Sequence, residues 1–184
     1  MSALEVDIWS DVMCPWCAIG LVRYARAIEL VAGDAEVTTR FLPFELNPDL
    51  PAEGRDHGEH LGEVLGRSPS ELAAMQAQLL ETARVAGFAM DWAGEGTAPP
   101  LRVWNTHAAH CLLRWALEQA GPEAQLRLKQ ALFAAHFSAR RNIAEPAVLA
   151  DIAAAAGLDR AGAEAALADP AISAAVQRDE LMGR

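Results

Sequence analysis

Two cysteines stand as Cys14-Pro15-Trp16-Cys17 in this 184-residue chain. Residues three apart across the first turn of a helix lie close enough for a disulfide. Pro15 suits the first helical position, where a missing N–H costs nothing. Cys14 then falls at the cap, its sulfur against unpaired backbone N–H groups and the positive end of the helix dipole, both of which favour thiolate over thiol. Cys17 lies one turn in and is better shielded. That spacing predicts thiol–disulfide exchange, with Cys14 as the nucleophile and Cys17 as the resolving thiol. Trp16, on the exposed first turn, is placed beside the sulfurs to contact substrate. Two other readings compete. The pair is also half of a zinc site, which needs two more thiolates or imidazoles, and the chain has no second such pair. Accidental pairing of buried cysteines is the third.

The remaining donor clusters are His57-Gly58-Glu59-His60 and His107-Ala108-Ala109-His110-Cys111. His107 and His110 share one helix face, which supplies too few ligands for a metal. They read as packing or hydrogen-bonding residues, and Cys111 as a small buried hydrophobe outside the redox cycle.

These residues need elements to position them. Leu4 to Trp9 alternates and reads as a strand. Pro15 to Val31 carries helical periodicity, with Gly33 as a stop. Glu36 to Phe44 is rich in β-branched and aromatic residues and reads as a second strand. A helical connection between neighbouring strands favours a parallel pair. Asn47 to Gly66, with many Pro, Gly, Asp and His residues, reads as loop. Ser68-Pro69-Ser70-Glu71 is a helix start, and that helix runs to about Gly87. A loop follows through Pro99-Pro100. Further helices are expected near Arg102–Ala120, Pro122–Ser138, Pro146–Ala156, Asp159–Leu167 and Pro170–Met182, with Gly121 and Gly157 as stops. Two parallel strands alone form a marginal sheet.

Composition bounds the function. Fifteen Lys and Arg against 25 Asp and Glu give a net charge of −10, which argues against nonspecific nucleic-acid binding. With 52% hydrophobic and 22% charged residues, the chain can bury a core. No apolar run approaches the length of a membrane span. The acidic N-terminus, Met1-Ser2-Ala3-Leu4-Glu5-Val6-Asp7, does not read as a secretory signal, so the cytoplasm is the expected compartment. Three cysteines do not make a disulfide scaffold.

The run Trp9-Ser10-Asp11-Val12-Met13-Cys14-Pro15-Trp16-Cys17-Ala18-Ile19-Gly20 resembles the opening of the DsbA-like oxidoreductases of the FrnE type. These are related to the kappa-class glutathione transferases and 2-hydroxychromene-2-carboxylate isomerases. Further similar segments follow in order: Phe44-Glu45-Leu46-Asn47-Pro48, Asn105-Thr106-His107-Ala108-Ala109-His110, Leu132-Phe133-Ala134-Ala135-His136-Phe137, and Ile143 through Leu158. The resemblance covers nearly the whole chain. It implies an α/β, thioredoxin-like fold with a large all-helical insertion. On that reading residues 1–50 form the N-terminal βαβ part, 51–168 the insertion with its entry loop, and 169–184 a helix leading back. The family continues beyond the point where this chain stops with a cis-proline segment, a β-hairpin and a last helix, so the C-terminal part of the fold is expected to be missing.

The resemblance also sets Asp11, Pro15, Trp16, Asn47, Asn105 and His110 at or beside the substrate site. The isomerase and transferase relatives carry serine where Cys14 stands, which favours thiol–disulfide exchange here. A glutathione-dependent isomerase or transferase is the alternative enzyme, and a metal-binding or interaction module the alternative of another class. The partner implied is a disulfide-containing protein or a small thiol. No resident cofactor or metal is implied, glutathione entering at most as a co-substrate, and neither nucleic acid nor membrane is expected as a partner. Relatives are often dimers, which leaves room for a homodimer. The Pro15-Trp16 dipeptide lacks the histidine that favours the reduced form in DsbA's own site, so a less oxidising couple is expected.

Overall fold

The structure is a computed structural model that describes residues 2–90 and 99–183. The loop expected ahead of Pro99 falls largely on 91–98, outside the described residues.

The first strand, β1 (Ser2–Ser10), leads into helix α1 (Pro15–Val31), and the second strand, β2 (Ala35–Pro43), returns beside the first. The two pair in parallel, from Ser2 opposite Ala35 to Ser10 opposite Pro43. Asp7 and Arg40 face each other in that register and form a bidentate ion pair at 2.7 and 2.8 Å. The far side of β2 is held by a side chain. Gln125, fully buried, accepts from the Phe41 N–H at 2.8 Å and donates to the Phe41 carbonyl at 2.8 Å. Among the described residues, β1 pairs with β2 alone.

The stretch expected as loop between Asn47 and Gly66 is partly ordered. It holds strand β3 (Arg55–Asp56) and helix α2 (His57–Leu65). Asp56 caps α2 by accepting from the Glu59 N–H at 3.0 Å, and Gly66 ends it in the left-handed region. The glycines within 57–66 mask this helix in composition, although Asp56 followed three residues later by Glu59 is a start signal. Helix α3 (Pro69–Ala86) begins where Ser68-Pro69 predicts, with a complete capping box between Ser68 and Glu71.

The helix expected from Arg102 starts later. Arg102–Val103 forms strand β4, antiparallel to β3. Gly54, at φ +65°, makes the approach between these strands feasible, since a Cβ there would meet the Val103 carbonyl oxygen at 2.5 Å. Helix α4 (His107–Phe137) follows and runs through the expected break with a kink at Gly121, where φ is 80° ahead of Pro122. Helices α5 (Pro146–Ala155), α6 (Arg160–Leu167) and α7 (Pro170–Met182) complete the block. Asp159 and Asp169 cap the last two through the Gly162 and Ala171 N–H groups.

Two apolar clusters hold these layers. One lies within α4 to α6 and gathers Leu112, Leu113, Leu128, Leu132, Ile143 and Leu149. The other joins α1, β2, α3 and α4 through Ile19, Leu21, Phe41, Leu79, Phe133 and Phe137. The second fixes the start of α1 against α3 and α4. Among the described residues, no helix is long and apolar enough to cross a membrane.

Candidate active site

Cys14 is the N-cap of α1 and Pro15 its first residue, as the spacing predicts. The first turn closes through the Cys14 carbonyl, which accepts from the Cys17 and Ala18 N–H groups at 3.1 and 3.2 Å. Both sulfurs are free thiols and half-buried. Their ionisation is split. The Cys14 thiol is lowered to about 7, first by a hydrogen bond from the Cys17 thiol. The Cys17 and Trp16 N–H groups pull in the same direction, against burial and the Asp11 charge. Cys17 is pushed up, first by that same hydrogen bond and then by burial. The sequence reading credits the helix cap with activating Cys14. The neighbouring thiol contributes more, and the backbone N–H groups add to it.

Asp11 sits beneath the turn, 1% exposed. It accepts from the Leu46 N–H at 2.8 Å and the Met13 N–H at 3.3 Å, and its carbonyl accepts from the Cys14 N–H. Burial pushes its carboxyl up, but His110, the Leu46 N–H and Thr106 outweigh this and the net direction is down. His110, 2% exposed, lies with Nε2 3.5 Å from Asp11 Oδ1, too far for a normal hydrogen bond.

Asn47 accepts from or donates to the imidazole of His60 across 2.9 Å. Asn105 braces the approach to α4, donating to the Pro48 carbonyl at 2.9 Å and accepting from the His107 N–H at 3.0 Å. Thus Asp11, Pro15 and Trp16 gather at the dithiol, His110 stands behind Asp11, Asn47 lies at the pocket beside the dithiol, and Asn105 acts on the chain next to that pocket.

Some residues at the site escape the sequence reading. Lys129 of α4 is 1% exposed, donates to the Ser10 carbonyl at 3.0 Å and stands over the Phe41 and Phe133 rings. It lines a small cavity of about 230 Å³ together with Cys17, Ser10 and Tyr24. Burial lowers its ammonium to about 8, while the charges of Asp11, Cys17 and Cys14 hold it up. A carboxylate and an ammonium, both buried, therefore flank the two sulfurs. His57, His60 and His136 converge on a second pocket, of about 410 Å³, which Cys14 and Trp16 also line. The sequence marks His57 and His60 only as metal donors. Among the described residues, no group of three or more His, Cys, Asp and Glu is placed to hold a metal ion.

Cys111 is 4% exposed, buried in the helical block as expected, beside His107. Its neighbour His107 reaches Glu45 through Nδ1 at 2.9 Å and Ser173 through Nε2 at 2.8 Å. The imidazole is pushed up to about 10, by the Cys111 sulfur first and the Glu45 carboxylate next. It ties α4 to the segment after β2 and to α7.

Comparison with solved structures places this geometry. A probable DsbA oxidoreductase from Streptomyces coelicolor superposes with a TM-score of 0.81 at 28% identity, over 97% of this chain and 74% of that one. The cytosolic disulfide reductase DsbM from Pseudomonas aeruginosa superposes at 0.65 with 18% identity, over 96% of this chain and 74% of that one. A 2-hydroxychromene-2-carboxylate isomerase superposes at 0.66 with 14% identity, over 96% and 78%. No curated protein sequence matches. The architecture is the thioredoxin-like DsbA fold, mixed α/β and rich in helix. The family model of the DSBA-like thioredoxin domain matches residues 5–184, dithiol turn and helical block alike, and the chain belongs to that family.

Proposed function

We propose that the protein is a thiol–disulfide oxidoreductase of the FrnE type, with Cys14 as nucleophile and Cys17 as resolving thiol. The observation that carries this reading is the split pair on one helical turn: Cys14 at the cap, lowered to about 7, and Cys17 pushed up and turned to a separate cavity. Thiolate is the nucleophile in exchange, and the best attacking thiol has a pKa near ambient pH. In the reductive direction the Cys14 thiolate attacks one sulfur of a substrate disulfide, and the other sulfur leaves as thiolate. Cys17 then gives its proton, through water, to the released substrate thiolate and attacks Cys14 Sγ in the mixed disulfide. The second substrate thiolate departs and the Cys14–Cys17 disulfide remains. Two electrons pass from the dithiol to the substrate. The Lys129 ammonium, in the same cavity as Cys17, stabilises the resolving thiolate at the moment of attack. Run backwards, the same steps oxidise a client dithiol.

The 28% identity to a probable DsbA oxidoreductase supports the activity. The cytoplasm is the compartment this reading assigns, in keeping with a cytosolic relative of the same fold. The substrate is a disulfide-bearing protein or small molecule, and a low-molecular-weight thiol restores the dithiol.

Thiol counting tests this. Mild oxidation of the reduced protein is expected to remove two thiols and to link Cys14 to Cys17 by mass spectrometry, with Cys111 still free and the loss reversed by dithiothreitol. A disulfide from Cys111, or glutathione-dependent isomerase turnover that survives Cys17→Ala, would overturn the reading.

A further inference from the structure

The pocket beside Cys14 has a character that selects its occupant. Its volume of about 410 Å³ lies within the ~300–1,000 Å³ range of small-molecule sites. Met13, Leu61, Leu72, Met75, Leu79 and Phe137 supply apolar walls. Among the described residues, no Asp, Glu, Lys or Arg lines it. The polar groups it does hold are specific. His60 is 7% exposed and His136 4% exposed, and in each the ring Nδ1 is buried with no hydrogen-bond partner. Both nitrogens are closed to solvent, so they offer a ligand in the pocket no hydrogen bond, and the walls it meets are apolar. His60 Nε2 faces Asn47 Oδ1 at 2.9 Å. Burial lowers the His57 and His136 imidazoles, the latter to about 4, so His136 is neutral near pH 7.

We propose that this pocket binds a low-molecular-weight disulfide whose body is apolar and uncharged, with one sulfur presented to Cys14. This rests on the oxidoreductase reading, in its reductive direction. Glutathione disulfide, with its carboxylates and ammonium groups, finds no ion partner on these walls, and moving a carboxylate among them is heavily penalised. The electron balance is that of the exchange described above. The Cys14–Cys17 dithiol is oxidised by two electrons, and the bound disulfide leaves as two thiols.

Single-turnover oxidation of the reduced protein tests the proposal with three aromatic disulfides: diphenyl disulfide, its di-para-hydroxy derivative and its di-para-carboxylate derivative. Each rate is divided by the same disulfide's rate with dithiothreitol, which removes differences in intrinsic reactivity. It is also divided by the alkylation rate of Cys14 with iodoacetamide, which removes differences in thiolate content. Both uncharged compounds are expected to exceed the carboxylate by at least about tenfold. Met75→Glu puts a carboxylate into the pocket from a position 48% exposed, so the fold tolerates it. It should abolish most of the preference for the neutral compounds.

Equal normalised rates for all three, or a preference untouched by Met75→Glu, would overturn the proposal. So would a Met75→Glu protein slowed only toward a disulfide-bonded peptide, which would assign the pocket to a client side chain. If no disulfide oxidises the Cys14–Cys17 pair, the oxidoreductase reading fails first. If all oxidise it without discrimination, only the pocket assignment fails.

Discussion

At Cys14 the sulfur owes its acidity first to Cys17, then to the backbone N–H groups of the turn, and it holds that acidity against burial and Asp11. Alkylation of Cys14 should therefore follow a pH profile with a midpoint near 7, while Cys17 stays silent through that range. Removing the donor with Cys17→Ala should move the Cys14 midpoint upward, toward an ordinary thiol. At pH 7 the alkylation rate should fall by about fivefold for a rise of one pKa unit, because the thiolate fraction drops from about one half to about one tenth. An unmoved midpoint would show that the helix cap alone activates Cys14. Lys129 acts on the other sulfur. Lys129→Met keeps apolar volume between Phe41 and Phe133 and removes the charge near Cys17. Release of the mixed disulfide should slow by about tenfold, with the Cys14 alkylation midpoint moving far less. Quenched-flow trapping reads this, and an unchanged release rate would remove Lys129 from the mechanism. The dithiol and Trp16 are legible in sequence because their chemistry rests on local spacing. Lys129 is not, since a lysine on an α-helix ordinarily extends its charge to water, and only the packing of α4 against β1 and β2 buries this one. His136 is hidden for the same reason. His57 and His60 are visible as residues, but their purpose depends on α2, which the glycine-rich composition conceals.

The elements around the site are fastened at points that can be broken singly. Gln125 of α4 satisfies both backbone groups of Phe41 on the outer side of β2. Gln125→Leu fits the space but strands a buried N–H and carbonyl, and should cost about 2–5 kcal/mol in urea unfolding at pH 7. A loss near zero would mean that β2 needs no such brace. His107 fastens α4 to Glu45 and to Ser173 of α7. Its pKa is raised in the folded protein to about 10, from 6.5. The stability it supplies by binding a proton is therefore complete below about pH 6.5 and is lost as pH rises toward 10. The stability gap between the protein and His107→Gln should be widest at pH 6 and should close by about pH 10. A gap that widens with pH would reverse the assignment. Caps were the legible part at this scale. Ser68, Asp159 and Asp169 start α3, α6 and α7 as their types predict. The start of α4 was misplaced, because Arg102 and Val103 pair with β3, a long-range partner that no local pattern announces.

As a whole the molecule carries a net charge of −10, while the pocket beside Cys14 is neutral among the described residues. The field outside and the lining inside both act against anionic substrates. Oxidation of the reduced protein by glutathione disulfide should quicken as ionic strength rises from about 0.01 to 0.15 M, because screening weakens the repulsion. Oxidation by a neutral aromatic disulfide should change little. The opposite pattern would point to an unseen basic approach to the site. The parallel strand pair and the helical block were legible as separate pieces from periodicity, and the family resemblance joined them. Their mutual seating through Gln125, Phe133 and Phe137 depends on contacts far apart in sequence, so it emerges only in the folded chain. The central claim is the division of labour between the two cysteines, and trapping tests it most directly. Reduced Cys17→Ser, mixed with a disulfide substrate, should hold a stable mixed disulfide on Cys14, seen as an added substrate mass by mass spectrometry. Cys14→Ser under the same conditions should hold none. A trapped adduct on Cys17 in Cys14→Ser, or equal trapping in both variants, would contradict the account.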